Sequence, residues 1–332
     1  MDLSIIIPVY NVEPYLEACV ASVYRQSLPS ERFEVILIND GSTDDSFRLM
    51  QKLAAEHPNI RVVDQKNCGL SAVRNRGVRM ALGTYVLFVD SDDFLYDNTV
   101  IPLLDKAIAN KLDVLRFDYW AVDEAGNRLF QSPYLAKRSP YEGQAISGTD
   151  LFEKIYNQEL FACLSLIKKE VLLQKNVFFE EGMFFEDIEF SLKVALKASR
   201  CMYVSSCVYA YRQRPASILH TFSKKKVEDV VAIAESLQQY LKDPSLKKSV
   251  KTIIKQIRTH LIVSVLLRIS DTPVYKDRRE LLKLMKKKGI VYLHPVKRRR
   301  EFIVSMLYNL LGKYVMVVLY PVSRARLYLL NK

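Results

Sequence analysis

Glycine and proline are scarce in this chain, at 10 and 12 of its 332 residues, and tryptophan occurs once. That scarcity excludes collagen-like and linker-rich architectures, and 49% hydrophobic residues with 26% charged excludes extensive disorder. The five cysteines, Cys19, Cys68, Cys163, Cys201 and Cys207, include no pair at Cys-x-x-Cys spacing, so neither a zinc site nor a disulfide framework is indicated. Also missing are a Gly-x-Gly-x-x-Gly after the first apolar segment, a Gly-x4-Gly-Lys-Ser/Thr loop and a Gly-x-Ser-x-Gly elbow. Dinucleotide-dependent dehydrogenases, P-loop enzymes and esterases would need them. There is no internal repeat. The opening Met1-Asp2-Leu3-Ser4 has no positively charged stretch and runs straight into a strand-like segment, so it does not read as a signal peptide, and a reducing cytoplasm is the expected compartment.

What is present divides sharply by charge. Residues up to Ser223 hold 24 Lys and Arg against 29 Asp and Glu, a net of −5, whereas residues from Lys224 onward hold 25 against 8, a net of +17. A catalytic-sized body over 1–223 and a basic helical region over 224–332 are therefore expected, the second facing something anionic.

Over the first hundred residues short apolar runs alternate with helical patterns, as in a parallel sheet built from strand and helix units. Strands are expected at Leu3 to Val9, Glu34 to Asn39, Ile60 to Val63 and Tyr85 to Val89, and a third helix from about Ser71 to Leu82 closed by Gly83 as a C-cap. Further on, Val114 to Tyr119 and Met202 to Tyr211 read as strands, and Gly148 to Asn157 and Ile188 to Ala198 as helices. Ligands of open parallel sheets bind beyond the carboxyl ends of the strands, which gathers Tyr10, Asp40 and Asp90 at one crevice.

The segment Val89-Asp90-Ser91-Asp92-Asp93 sets three carboxylates where a buried strand ends. Such a cluster repels itself without a cation, and its hard oxygens suit magnesium or manganese beside a substrate's phosphates. An acidic turn, or a cap on the helix carrying Leu103 and Leu104, is the plainer alternative.

Four motifs then occur in order: Ser4-Ile5-Ile6-Ile7-Pro8-Val9-Tyr10-Asn11, Asn39-Asp40-Gly41-Ser42-Thr43-Asp44, Gly69-Leu70-Ser71-Ala72-Val73-Arg74-Asn75 and Asp90-Ser91-Asp92-Asp93. The ordered set resembles the family 2 glycosyltransferases of bacterial polysaccharide assembly. The resemblance implies an α/β GT-A nucleotide-diphospho-sugar transferase fold, with a nucleotide-binding half over 1–97 and an acceptor half over 98–223. It also implies an inverting transfer from a UDP-sugar to a hydroxyl of a glycan or lipid-linked glycan. On the same basis Pro8, Val9 and Tyr10 line the nucleoside pocket, Asp40 accepts from uracil, and Arg74 lies near the base or phosphates. Asp90 approaches the ribose or metal, Ser91 belongs to the nucleotide-sugar site, and Asp92 coordinates Mn2+ or Mg2+; Asp93 has no assigned role. In Phe184-Phe185-Glu186-Asp187-Ile188-Glu189-Phe190, Asp187 matches the family's base, with Glu186 orienting it or meeting the acceptor. A helix start stabilised by acids is the alternative there. Arg212 and Arg214 match a segment that closes over the diphosphate, and His220 stands where some relatives supply a metal ligand. Transfer to a polyprenyl phosphate, which needs no base, and a non-catalytic scaffold are the competing functions.

In the basic region, Phe302 to Pro321 is the most apolar stretch and follows Lys297-Arg298-Arg299-Arg300. Ser305, Asn309 and Lys313 recur every four residues, and a mid-span lysine costs about 2.5 to 3.5 kcal/mol. An in-plane amphipathic helix on an anionic membrane surface is expected rather than a span, placing the protein peripherally on the inner face of the cytoplasmic membrane. A packed helical subdomain is the alternative. No nucleic-acid-binding motif accompanies the charge.

Overall fold

The computed structural model describes residues 1–157, 159–214, 223–271, 275–290, 292–294 and 299–311. The chain divides into two compact units, Met1–Leu219 and His220–Lys332.

The first unit opens with three strand and helix repeats and a fourth strand: β1 Leu3–Val9, α1 Glu13–Tyr24, β2 Phe33–Asp40, α2 Ser46–Glu56, β3 Ile60–Gln65, α3 Leu70–Met80 and β4 Tyr85–Phe88. β1 and β2 are buried along their whole length, which is why their sequences are continuous apolar runs rather than alternating ones. After β5 Phe94–Leu95 and α4 Val100–Ala109 come β6 Val114–Val122, the edge strand β7 Arg128–Gln131, the short helix α5 Leu135–Arg138 and β8 Ala145–Ile146. The turn α6 Gly148–Asp150 runs into a π-helical segment, Leu151–Tyr156, and β9 Ser165–Lys168, α7 Lys169–Gln174, α8 Asp187–Lys197 and the long β10 Cys201–Arg212 complete the unit.

All the strands form one sheet in the order β3-β2-β1-β4-β9-β6-β10-β5, with β7 beside β6 and β8 beside β10. Pairing is parallel from β3 to β4 and between β6 and β10, and antiparallel where β9 bridges β4 to β6. The result is the GT-A fold, a mostly parallel sheet between helices. Because β1, β2 and β4 point the same way, the loops after Val9, Asp40 and Phe88 emerge at one edge of the sheet.

Gly83 does not cap α3, which ends at Met80 with an extended Ala81 after it. Its role is close approach. A Cβ at Gly83 would lie 2.5 Å from the carbonyl carbon of Leu3 and from the nitrogen of Ser4, while its own N–H donates to Ser4 Oγ at 2.8 Å.

The second unit contains α9 Lys224–Lys242, α10 Lys248–Asp271, α11 Tyr275–Lys287 and α12 Arg299–Leu311. Ser223 caps α9 by accepting the N–H of Lys226 at 3.2 Å. Val230, Ile233 and Leu237 of α9 and Ile254, Leu261 and Leu266 of α10 are buried. Buried Arg258 donates to the carbonyls of Ala234 and Tyr292 and to Gln238 Oε1. Among the described residues no helix is long and apolar enough to cross a membrane.

Since backbone atoms, not a flexible side chain, face Gly83, Gly83→Ala is expected to lower stability by about 1 to 3 kcal/mol, measured by urea unfolding.

Candidate active site

At the sheet edge the loops are tied to each other before any ligand is considered. Asn11, in the left-handed region at φ 51°, accepts the N–H of Thr43 at 2.8 Å, and its own N–H donates to Ser42 Oγ at 3.1 Å. Asp40, buried at the end of β2, accepts the N–H groups of Cys68 and Gly69 and Gln65 Nε2, each at 2.8 Å. It thereby shapes the loop that starts α3. A carboxylate offers about four acceptor positions, of which these bonds use three. Pro8 and Val9 are buried within β1, and Tyr10 is exposed just beyond them.

The helix that this loop starts carries Arg74, which is 2% exposed. Its Nη1 donates to Glu186 Oε1 at 2.7 Å and to Asp187 Oδ1 at 2.9 Å, and its Nη2 to Asp90 Oδ1 at 2.7 Å. The guanidinium also lies over the Phe179 ring, 5.2 Å from its centroid. Resemblance places Arg74 beside the base or phosphates; the structure directs its charge to three carboxylates from two distant segments. Burial works against its cationic form, and those carboxylates more than reverse the effect.

Asp187 opens α8 and is accessible at 21% of its side chain. Burial pushes its carboxyl up to about 7, against the pull of Arg74, and the neighbouring charges of Glu186 and Asp90 push the same way. The N–H of Ala162 donates to Asp187 Oδ2 at 3.3 Å.

The second group surrounds Asp92 and Asp93. No side chain caps α4, whose N-cap is Thr99, so the helix-cap alternative for these acids fails. Asp93 is buried and accepts Tyr209 Oη at 2.8 Å and the N–H of Arg212 at 2.7 Å. Burial and the charges of Asp92 and Asp90 raise its carboxyl well above the usual range. Its work is to fasten the end of β10 to the acidic loop. Tyr209 also accepts the N–H of Asp90 at 3.0 Å, a role that a tyrosine in a strand-like run does not announce. Ser91 is buried between the two acids.

Asp92 is raised by burial and by Asp90, and Arg214 opposes this through an ion pair with its carboxylate. Arg212 donates from Nε to the Asp92 carbonyl at 2.8 Å and from Nη1 to the Glu124 carbonyl. Both arginines lie over the ring of Tyr15, which spacing alone did not single out. His220 lies outside the described residues.

Among the described residues no three His, Cys, Asp or Glu side chains are arranged to hold a metal by themselves. The donor set instead suits an ion bound through one or two carboxylates and completed by substrate phosphates, the usual manner of Mg2+. Asp90 and Asp92, the first of which raises the cost of ionising the second, fit that description.

Residues 4–165 match the family described as Glycosyl transferase family 2. Over 178 residues the chain is 34% identical to the uncharacterized glycosyltransferase EpsJ of Bacillus subtilis (strain 168), a match covering 51% of each. Over 116 residues it is 34% identical to the poly(ribitol-phosphate) beta-glucosyltransferase of Bacillus spizizenii, covering 34% of this chain and 18% of that one. The chain thus spans about half the length, or less, of the curated relatives it matches. In fold it is similar to residues 1–349 of S. aureus TarS, solved in complex with UDP-GlcNAc, with a TM-score of 0.69 at 20% identity, covering 98% of this chain and 90% of that one.

Arg74→Met leaves three carboxylates without their cation. It is expected to cost about 3 to 5 kcal/mol of stability at about pH 8. The sign of the pH dependence follows from proton binding. In the variant the folded state holds protons that the unfolded chain releases, so stability falls as pH rises and the gap to wild type narrows towards about pH 5. Urea unfolding at the two pH values measures it.

Proposed function

With residues 4–165 a family 2 glycosyltransferase domain, we propose that the chain transfers a sugar from a UDP-sugar, with inversion, to a hydroxyl of a glycan or lipid-linked glycan. The observation that carries this reading is a buried cation, Arg74, joining Asp90 at the end of the donor-side strand to Glu186 and Asp187 at the start of α8. One side of that junction suits a nucleotide diphosphate, and the other suits an acceptor.

We assign the nucleotide-binding half to 1–97, the acceptor half to 98–223 and a basic helical region to 224–332. In the first, exposed Tyr10 offers a face to the uracil and the free acceptor position of Asp40 meets the imide N–H. Pro8, Val9 and Ser91 fix the backbone around them. Asp92 and Asp90 would hold Mn2+ or Mg2+, which supplies positive charge against the departing diphosphate. The chain's own cations support this need. Arg74 is occupied by Asp90, Glu186 and Asp187, Arg212 by two carbonyls and Arg214 by Asp92.

Asp187 is the base. A carboxyl lifted to about 7 is half ionised near neutral pH and strong enough, when ionised, to draw the proton from an acceptor hydroxyl as its oxygen attacks the anomeric carbon. Glu186 shares Arg74 with it and orients it. The UDP-GlcNAc complex of the TarS relative supports a UDP-hexose or UDP-N-acetylhexosamine donor, and the poly(ribitol-phosphate) substrate named for the Bacillus spizizenii relative supports a polymeric hydroxyl acceptor. Peripheral attachment of 224–332 to an anionic membrane would suit an acceptor carried on lipid.

Titration calorimetry of UDP, GDP and CMP, with and without manganese, is expected to give metal-dependent binding of UDP that Asp92→Asn abolishes. UDP binding indifferent to metal and to that substitution would overturn the metal assignment. Asp187→Asn is expected to retain UDP binding and lower turnover by about 10² to 10⁴-fold. In wild type the rate should rise with pH through about 7 as Asp187 loses its proton. An active, pH-indifferent Asp187→Asn enzyme would instead favour an acceptor that is already anionic, such as a polyprenyl phosphate.

A further inference from the structure

Helix α12 turns Ser305 and Asn309 inward and four large apolar side chains outward. Ser305 is buried, its hydroxyl donating to the Phe302 carbonyl at 2.9 Å. Asn309 accepts the N–H of Leu293 at 2.8 Å and donates to the Leu293 carbonyl at 2.7 Å. Val304 and Tyr308 are buried with them, and the Tyr308 hydroxyl donates to the Ile290 carbonyl. On the other side Phe302, Ile303 and Met306 are each 43% exposed and Leu310 is 73% exposed. Phe302, Met306 and Leu310 follow one another at intervals of four, with Ile303 beside them, so they form one stripe along the helix.

The expected four-residue recurrence of polar residues is therefore real, but in Ser305 and Asn309 it serves contacts inside the unit; Lys313 lies outside the described residues. A stripe of four large apolar side chains facing solvent calls for a partner. Charge selects among the candidates. Residues 224–332 carry 25 Lys and Arg against 8 Asp and Glu, and Lys297-Arg298-Arg299-Arg300 leads directly into the stripe. A second copy would bring two regions of net +17 together, which repels. Nucleic acid would meet the charge but has no use for the stripe. A bilayer with anionic headgroups meets both, burying the side chains at the acyl boundary while headgroups attract each nearby Lys or Arg.

We propose that α12 is the membrane-docking element of this protein, lying in the plane of an anionic lipid surface with Phe302, Ile303, Met306 and Leu310 inserted. It gives a location on the chain to the peripheral attachment in the functional reading above, and it concerns binding rather than sugar chemistry, so either can fail without the other.

The test is flotation of the full chain with vesicles of phosphatidylcholine alone or mixed with phosphatidylglycerol. Wild type is expected to float with the anionic vesicles and not with the neutral ones. Met306→Glu/Leu310→Glu should weaken that binding by roughly tenfold or more while leaving the melting temperature unchanged, since both side chains are exposed. The milder Met306→Gln/Leu310→Gln pair should lose less, and serves if the glutamates disturb the helix. A glutamate variant that floats like wild type, or a wild type that floats with neither vesicle, would overturn the proposal. So would a wild-type dimer in light scattering that the glutamate variant dissociates, which would make the stripe a contact between copies.

Discussion

Arg74 cannot be buried without its carboxylates, and they cannot lie so close without Arg74. Taking an ion out of water costs several kcal/mol even after relaxation, and it is recovered only where geometry and hydrogen bonds are good. Three charge-assisted bonds of 2.7 to 2.9 Å meet that condition. The consequence is architectural: the loop after β4, the start of α8 and the middle of α3 are held at one point, although Arg74 and Asp187 are 113 positions apart. The site's acids are thus placed by a cation that is itself almost wholly buried.

A second buried ionic network lies beside β6 and differs in kind. Arg138 pairs with Asp118 at 2.7 Å and with Glu159, while Tyr203 donates to Asp118, and Tyr119 and Ser132 donate to Glu159. All of these acids are enclosed, so no ligand can reach them. Nearby, Arg116 donates to the carbonyls of Glu159 and Phe161 at 2.8 Å. That fixes the turn whose next residue, Ala162, offers its N–H to Asp187. The Arg74 network keeps one side open, with Asp90 30% exposed and Asp187 21%. Partial access separates a carboxylate that can meet substrate from one that only shapes the fold.

The first strands of the sheet were legible because burial on both faces leaves a mark in the sequence. The expected strands at Leu3 to Val9, Glu34 to Asn39 and Ile60 to Val63 differ from the observed ones by at most two residues at an end. The acids were legible too, since each follows a strand or starts a helix. Partnership was not. Nothing local says that Arg74 serves carboxylates, that Tyr209 joins Asp90 to Asp93, or that Gly83 is small for the sake of Leu3 and Ser4. Each depends on a contact across the fold, and each partner residue has an ordinary local reason to be where it is.

Periodicity also fails to reveal which side of a helix is inside. Along α12, Ser305 and Asn309 share one face and Phe302, Met306 and Leu310 another, and the usual rule would turn the apolar face to the core. The rule assumes that polar side chains find nothing better than water. Here the backbone N–H and C=O of Leu293 are both engaged by one asparagine amide, which satisfies four polar groups at once. Val304 and Tyr308 supply apolar contact on the same side, so the inward face of α12 loses little by being partly polar. Where a loop presents unpaired backbone to a helix, hydrogen bonding can decide the helix's orientation, and the apolar residues are left facing out.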